Sequence, residues 1–280
     1  MASLFHQNMR TFGGGAAVRN AAFNGAFNAI NGAVGNVFLA IGYTEITNPN
    51  APLRGQLLAL GTTLDAGMDS VIVMEVGQTA LGMHEYAGIV WDSTNFTAAA
   101  AGQVSYDNLN LRWQANAVAA PLPATIALPH GTYMAVDQRG PAFIAGTTGG
   151  NEVIIMFMHN MYGLGDRSRG FNGMPLSADA IRAALGGNYV NAPVFAGGDY
   201  NIRPRFAGTK RGRDGNLRGM PFRAARAGAA GAYINTTAAN PYDFWLANDV
   251  THIPEAWATV RLESRIPLAS DHAGIRLRIS

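Results

Sequence analysis

The chain has 280 residues, of which 48% are hydrophobic and 14% are charged. This composition is globular and excludes a disordered chain, which needs low hydrophobicity and high charge. Cysteine is absent, so disulfides, thiolate zinc sites and cysteine nucleophiles are excluded. No apolar run reaches the roughly 18 residues of a membrane-spanning helix, and the length suits one large domain or two small ones.

Positive charge is concentrated in one part of a chain whose net charge is +2. Eight basic residues fall between Arg203 and Arg226, against one acidic residue, Asp214. Residues 203–240 are rich in Gly, Ala, Arg and Asn and predict a long irregular excursion. Such a segment suits contact with a polyanion, and a solvated surface loop explains it equally well. The N-terminus shows no recognisable secretory signal, so the localisation, secreted effector or cytoplasmic protein, stays undecided.

Short apolar segments bounded by Gly, Pro and Asn predict most of the secondary structure. The predicted strands are residues 2–8, 37–46, 70–76, 86–92, 141–146, 152–159, 193–199, 242–247 and 272–279. Helices are predicted over residues 16–33, about 50–66 and 177–186, the last with Ser177 as its N-cap and Asp179 in its first turn. Strands with interspersed helices indicate a layered α/β or α+β domain.

The segment GGDYN, residues 197–201, follows an apolar run and carries two candidate site residues. Its glycines allow a tight turn at the end of a strand, and residues two apart on an extended chain point to the same side. Asp199 and Asn201 would then face one site, where a carboxylate can orient water or bind a hard cation and a carboxamide can donate to a phosphate oxygen. A simple Asx-type turn explains the same residues without a function.

Further candidates lie at the ends of other apolar strands. Asp271 and His272 precede the last predicted strand, where a carboxylate suits Mg²⁺ and a histidine can shuttle a proton. Glu45 in AIGYTEIT and His159 at the end of IIMFMHN also need a partner or a functional cleft. A structural histidine satisfied by its neighbours is the alternative explanation for each histidine.

The order of these motifs along the chain resembles the DNase I-like endonuclease/exonuclease/phosphatase superfamily, which includes DNase I and the catalytic subunit of cytolethal distending toxins. The similar features are an Asn in the first strand, a Glu after the second, a His ending a middle strand, GDxN, a YD strand start and a terminal SDH. HEYAGIVW (84–91), RGPAFIAG (139–146) and YDFWLA (242–247) resemble three strands of that family. The resemblance spans residues 8 to 272.

The resemblance implies a single domain over residues 1–280, a four-layer sandwich of two packed mixed β-sheets flanked by helices. It implies an Mg²⁺-dependent phosphodiesterase, with Mn²⁺ as a substitute, and first an endonuclease acting on DNA or RNA. The implied metal ligands are Glu45, Asn8 and Asp271. Arg139 and Asn201 would contact the substrate phosphate. The implied catalytic set is His159 held by Glu85, Asp199 with Asn201, and His272 held by Asp243.

Two positions depart from the family pattern and leave the substrate open. Thr44 stands where the family has Gln before the metal-binding Glu, and Thr47 stands where DNase I has Arg. Contacts to the minor groove of duplex DNA are therefore not carried over. The alternatives are a phosphatase acting on phosphoinositides or other phosphoesters, a toxin or effector subunit whose immunity partner is unknown, and a binding module without activity.

Overall fold

The computed structural model describes residues 2–12, 17–34, 37–47, 51–78, 84–107, 110–113, 125–127, 139–160, 166–201, 223–224, 242–247, 270 and 272–279. The helices are α1 (Ala17–Val34), α2 (Ala51–Leu64) and α3 (Asp166–Leu185), and a 3-10 helix covers Gly187–Asn191. The strands are β1 (Ala2–Phe12), β2 (Val37–Ile46), β3 (Ser70–Gln78), β4 (His84–Trp91), β5 (Thr97–Asp107), β6 (Asn110–Trp113), β7 (Thr125–Ala127), β8 (Ala142–Thr148), β9 (Asn151–His159), β10 (Val194–Asp199), β11 (Arg223–Ala224), β12 (Asp243–Ala247) and β13 (Ile275–Ile279).

The strands form two mixed sheets. The first has the order β13-β1-β2-β4-β3, and the second has the order β11-β12-β10-β9-β8-β5-β6-β7. Within them β1 runs parallel to β2, and β9 runs parallel to β10, while the neighbouring pairs are antiparallel. Parallel pairing matters for function because it brings the C-terminal ends of both strands to the same edge of a sheet.

Apolar residues of both sheets pack against each other in the middle of the molecule, and helices cover the two outer faces. The central layer contains Ile89 and Leu277 from the first sheet and Ile155 and Trp245 from the second. On the outer face of the first sheet, α2 buries leucines one helical turn apart, at positions 53, 57, 60 and 64, and α1 buries Phe23, Phe27 and Ile30. Helix α3 covers the second sheet. The predicted four-layer sandwich is confirmed.

Helix α3 begins eleven residues before the predicted start, so the assignment of Ser177 as an N-cap is wrong. Met174, Ala178 and Ile181 recur at helical spacing and are buried against the second sheet, and this packing carries the helix through Pro175. Ser177 consequently lies within the helix and is buried. Asp179 lies in the second half of the helix rather than in its first turn.

Strands β5, β6, β7 and β11 were not predicted from the sequence pattern. Strand β5 contains four consecutive alanines, a composition that favours a helix, yet it pairs antiparallel with β8 and buries Ala100 and Ala101. Tertiary pairing overrides local propensity there. The predicted basic excursion lies outside the described residues except for β11, and the single domain over 1–280 stays a prediction. No helix in the described part of the chain is long and apolar enough to cross a membrane.

Candidate active site

The predicted site residues of the described part converge at one edge of the sandwich. Asn8 is aligned with Thr44 on the parallel pair β1 and β2, which places Glu45 beside it. His159 is aligned with Asp199 at the ends of β9 and β10, and Asp199 is aligned with Asp243 on β12. Strand register therefore groups these side chains within each sheet, and the packing of the two sheets brings the two groups together.

Asp199 lies at the centre of this group and is almost completely buried. Its Oδ1 accepts the backbone N–H of Asn201 at 2.8 Å, and its Oδ2 accepts the Asn8 amide at 3.1 Å. Burial raises the pKa of Asp199, and the nearby Asp243 carboxylate adds to this rise, while His272 and His159 oppose it. A carboxylate with a raised pKa is a better proton acceptor near neutral pH than an exposed one.

His272 bridges two carboxylates. Its Nδ1 lies 2.7 Å from Asp243 Oδ2, and its Nε2 lies 3.6 Å from Asp199 Oδ2. Its backbone N–H donates to Ser270 Oγ at 3.1 Å, and the Ser270 hydroxyl donates to the carbonyl of Asn8 at 2.8 Å. A proton on Nδ1, donated to Asp243, leaves Nε2 as the basic nitrogen that faces Asp199.

His159 belongs to a second carboxylate–histidine pair. Its Nδ1 lies 2.5 Å from Oε1 of the fully buried Glu85, and its Nε2 lies 3.8 Å from Asp199 Oδ2. Arg139 joins this pair, with its Nη1 atom 3.0 Å from Glu85 Oε2 and 2.7 Å from His159 Nδ1. Burial and the nearby charge of Arg139 lower the pKa of His159, but the charge and hydrogen bond of Glu85 outweigh them, so the net shift is upward.

Glu45 forms the outer part of the group and has an unusual backbone. Its φ of 60° lies in the left-handed region, as does that of Asn201 at 50°. Non-glycine residues in this region carry strain, which is common at functional sites. Burial raises the pKa of Glu45, and the negative charges of Glu85 and Asp199 add to the rise, whereas His159 opposes it. A cation bound here would relieve this crowding of negative charge.

Two sets of side chains in the described residues could hold a cation. Oxygen and nitrogen atoms of Asp199, Asp243 and His272 all lie within 4.8 Å of one another. Asp243 and His272 are hydrogen-bonded to each other, however, so a cation bound between them would have to break that pair. Glu45 supplies a hard oxygen donor of the kind that Mg²⁺ prefers and leaves both histidine pairs intact. The Asn8 side-chain oxygen beside it accepts the Arg10 N–H at 2.8 Å and has a second lone pair for the ion. The predicted ligand Asp271 lies outside the described residues.

Three polar residues that support this group were not predicted from the sequence. Ser270 belongs to the SDH motif, and its hydroxyl connects β1 to His272. Asn160 directly follows His159 and ties the ends of β9 and β10, because its side-chain amide donates to the carbonyl of Tyr200 and its carbonyl accepts the Asn201 amide. His6 lies two residues before Asn8, so strand alternation could have placed both on one face.

No protein-family model and no curated protein matches this sequence. Solved structures do match it. Truncated Caenorhabditis elegans TDP2 is 13% identical, with 98% of this chain and 95% of that chain covered at a TM-score of 0.58. An endonuclease/exonuclease/phosphatase family protein from Bacteroides thetaiotaomicron is 13% identical (99% and 96% covered, TM-score 0.58). The human Nocturnin catalytic domain is 11% identical (100% and 94% covered, TM-score 0.60). The chain therefore has the DNase I-like fold of the endonuclease/exonuclease/phosphatase proteins, as the motif order predicts.

Proposed function

We propose that this chain is an Mg²⁺-dependent phosphodiesterase and that its substrate is a nucleic acid. The observation that carries the proposal is the convergence of two carboxylate–histidine pairs on one buried carboxylate. His272 Nε2 and His159 Nε2 lie 3.6 Å and 3.8 Å from the same oxygen of Asp199. Two histidines with different partners and one central acid can serve as general acid and base in the hydrolysis of a phosphodiester.

In the proposed reaction, Asp199 orients the attacking water and accepts its proton as the oxygen–phosphorus bond forms. Burial makes this carboxylate a stronger base than an exposed Asp, and the Asn201 N–H fixes its orientation. His272, whose Nδ1 is held by Asp243, has its Nε2 beside Asp199 and can share the proton taken from the water. As its bond to phosphorus breaks, the leaving oxygen takes a proton from a solvent water, and the proton held by Asp199 and His272 is released to solvent, which restores the starting protonation state.

His159 and Arg139 supply positive charge on the other side of the site. The raised pKa of His159 favours its protonated form, and Arg139 is held beside it by the shared Glu85 carboxylate. Both cations can offset the charge that builds on the non-bridging phosphate oxygens. Glu45 and Asn8 would hold Mg²⁺, assisted by Asp271, and the bound ion would supply further Lewis-acid stabilisation of that charge.

Two observations support a nucleic acid as the substrate class. A protein of this fold, Danio rerio TDP2, has been solved in complex with a single-strand DNA product; it is 12% identical to this chain, with a TM-score of 0.57. The chain also carries the basic segment between Arg203 and Arg226, whose charge suits a phosphate backbone. A phosphatase acting on phosphoinositides would use the same reacting groups, so the experiment must distinguish that activity from nucleic-acid cleavage.

The test compares three substrates with and without metal. Supercoiled plasmid, a single-stranded oligonucleotide and a phosphoinositide are incubated with Mg²⁺, with Mn²⁺ and with EDTA. We expect cleavage of DNA that EDTA abolishes and that Asp199→Ala abolishes, while Asp179→Ala, at an exposed position of α3, retains it. Phosphate release from the phosphoinositide alone would overturn the nucleic-acid proposal. Cleavage that persists in EDTA or in Asp199→Ala would overturn the mechanism.

A further inference from the structure

His6 is a third histidine beneath the proposed site, and it takes no part in the mechanism above. It lies on β1, is fully buried between the two sheets, and stacks on Phe157 with ring centroids 6.4 Å apart. Its Nε2 is 3.0 Å from Thr44 Oγ1. Its Nδ1 is turned toward Asp243, 3.9 Å from Oδ1, and makes no hydrogen bond within the described residues.

The surroundings of His6 select one tautomer of its neutral ring. If Nε2 carried the proton, the lone pair of Nδ1 would point at a buried carboxylate oxygen, which is electrostatically unfavourable in a medium of low polarity. If Nδ1 carries the proton, its N–H dipole points at Asp243, and Nε2 can accept the hydroxyl hydrogen of Thr44. Both ring nitrogens then face a complementary group, so the Nδ1–H tautomer is favoured.

Asp243 consequently lies between two imidazole rings. Its Oδ2 is 2.7 Å from Nδ1 of His272, and its Oδ1 faces Nδ1 of His6. At 3.9 Å the contact with His6 is longer than a hydrogen bond, so it acts through charge. The N–H dipole of His6 attracts Oδ1 in this buried setting and so favours the carboxylate orientation in which Oδ2 meets His272.

We propose that His6 is a positioning residue that fixes the Asp243 carboxylate and, through it, the tautomer and orientation of His272. The inference rests on the proposed function, since it assigns His272 to the reaction. Thr44 is the residue before Glu45, so His6 also links the strand that carries the proposed metal ligand to the Asp243–His272 pair. Thr44 is also where the sequence departs from the Gln typical of the resembled family, and His6 is its hydrogen-bond partner.

Two substitutions test the contacts of the two ring nitrogens of His6 separately. In His6→Asn the amide nitrogen falls near the position of Nδ1, so a donor toward Asp243 is retained and the Thr44 contact is lost. In His6→Gln the amide falls near the position of Nε2, so the Thr44 contact is retained and the donor toward Asp243 is lost. Activity is measured on bis(p-nitrophenyl) phosphate with Mn²⁺. We expect His6→Gln to lower kcat about 10- to 100-fold with little change in KM, and His6→Asn to lower it clearly less.

A readout without catalysis keeps this proposal separate from the proposed function. Nitrogen-15 NMR of labelled histidines in the wild-type protein should show His6 and His272 as Nδ1–H tautomers, and His272 should become a tautomer mixture in His6→Gln. An Nε2–H tautomer for wild-type His6 overturns the proposal, as does an equal kcat loss in both variants with His272 unchanged. If the wild-type protein hydrolyses no phosphodiester, the proposed function fails, and the tautomers still decide the role of His6. The tautomers of the wild-type protein also test the role of His6 if neither variant folds.

Discussion

The side-chain amide of Asn8 donates to the carboxylate of Asp199 at 3.1 Å, and this bond joins the two sheets of the sandwich. Asn8 lies on β1 of the first sheet and Asp199 ends β10 of the second, 191 residues later in the chain. The bond can form only when the sheets are packed face to face. The central carboxylate of the candidate site is therefore oriented by the packing of the two sheets as well as by the local N–H of Asn201.

Asp199→Asn should lower activity strongly without lowering stability. The substitution removes the proposed proton acceptor, for which a loss of about 10²- to 10⁴-fold in kcat is expected. Because burial raises the pKa of Asp199 in the folded state, folding favours its protonated form, and the ionised group costs stability above that pKa. Calorimetry at pH 8 should show an unchanged or higher Tm. A Tm several degrees lower would mean that Asp199 has a structural role.

Glu85→Gln should change both stability and the pH dependence of activity. Glu85 is fully buried and contacts His159 and Arg139, so its loss leaves an uncompensated buried cation, at a cost of about 3–5 kcal/mol in the free energy of unfolding. The carboxylate also raises the pKa of His159, so the limb of the pH–kcat profile that reports His159 should move to lower pH.

The stability that the charged His159 gives is present below its ordinary pKa of 6.5 and is lost as pH rises through its raised folded value. Urea unfolding at several pH values should therefore show the wild-type advantage over Glu85→Gln shrinking as the pH rises. Glu75→Gln, which removes a carboxylate from an exposed ion pair with His84, serves as the control and should change neither profile. A pH–kcat profile of Glu85→Gln that superimposes on the wild type would contradict the pairing with His159.

The layers of the fold follow from patterns that one sequence contains. Continuous apolar segments such as β9 mark strands buried between layers, and the spacing of Leu53, Leu57, Leu60 and Leu64 marks a helix with one buried face. The alanines of β5 carry no such signal, because a small apolar side chain suits a helix and a strand alike. Only the pairing with β8 decides its conformation.

The candidate site is predictable where strand ends carry reactive groups and unpredictable where a supporting contact depends on tertiary packing. Asp199 and His159 follow apolar runs and can be placed from the chain alone. Nothing local indicates that His6 approaches Asp243, since the two residues belong to different sheets and meet only when these pack. The start of α3 could not be predicted for the same reason. Met174 is buried against the second sheet, and that contact exists only in the folded molecule.

Glu45 should be required for metal binding. The wild-type Tm should rise with increasing Mn²⁺, because a ligand that binds only the folded state stabilises it by mass action. Glu45→Gln should abolish most of this rise and should itself raise the Tm in EDTA, since burial raises the pKa of Glu45 and the ionised group costs stability. Glu75→Gln removes a carboxylate elsewhere and should keep the Mn²⁺ response. An unchanged Mn²⁺ titration in Glu45→Gln would place the metal elsewhere, for instance between Asp199 and Asp243.

His6 should make the protein sensitive to acid. Burial lowers its pKa to about 3 in the folded state, from an ordinary value of 6.5. Between these two pH values His6 is protonated in the unfolded chain and neutral in the folded protein. The free energy of unfolding therefore falls as the pH drops, by up to about 1.4 kcal/mol per pH unit. Urea unfolding from pH 7 to pH 4 should show this slope in the wild type and a shallower one in His6→Gln. Parallel slopes would mean that His6 is protonated in the folded state.

Gly42→Ala and Gly25→Ala should change stability in opposite directions. A Cβ at Gly42 would lie 2.0 Å from a ring carbon of Phe157, and that ring is held in the central core against Trp245, with centroids 5.9 Å apart. Because the ring has no free space, we expect a loss of about 1–3 kcal/mol or more. A Cβ at Gly25, on the exposed side of α1, meets no atom within 4 Å. Because Ala loses less backbone entropy than Gly on folding, Gly25→Ala should stabilise the protein by about 0.5–1 kcal/mol. Urea unfolding measures both changes, and a neutral Gly42→Ala would show that the two sheets are less tightly packed at this point than the short contact requires.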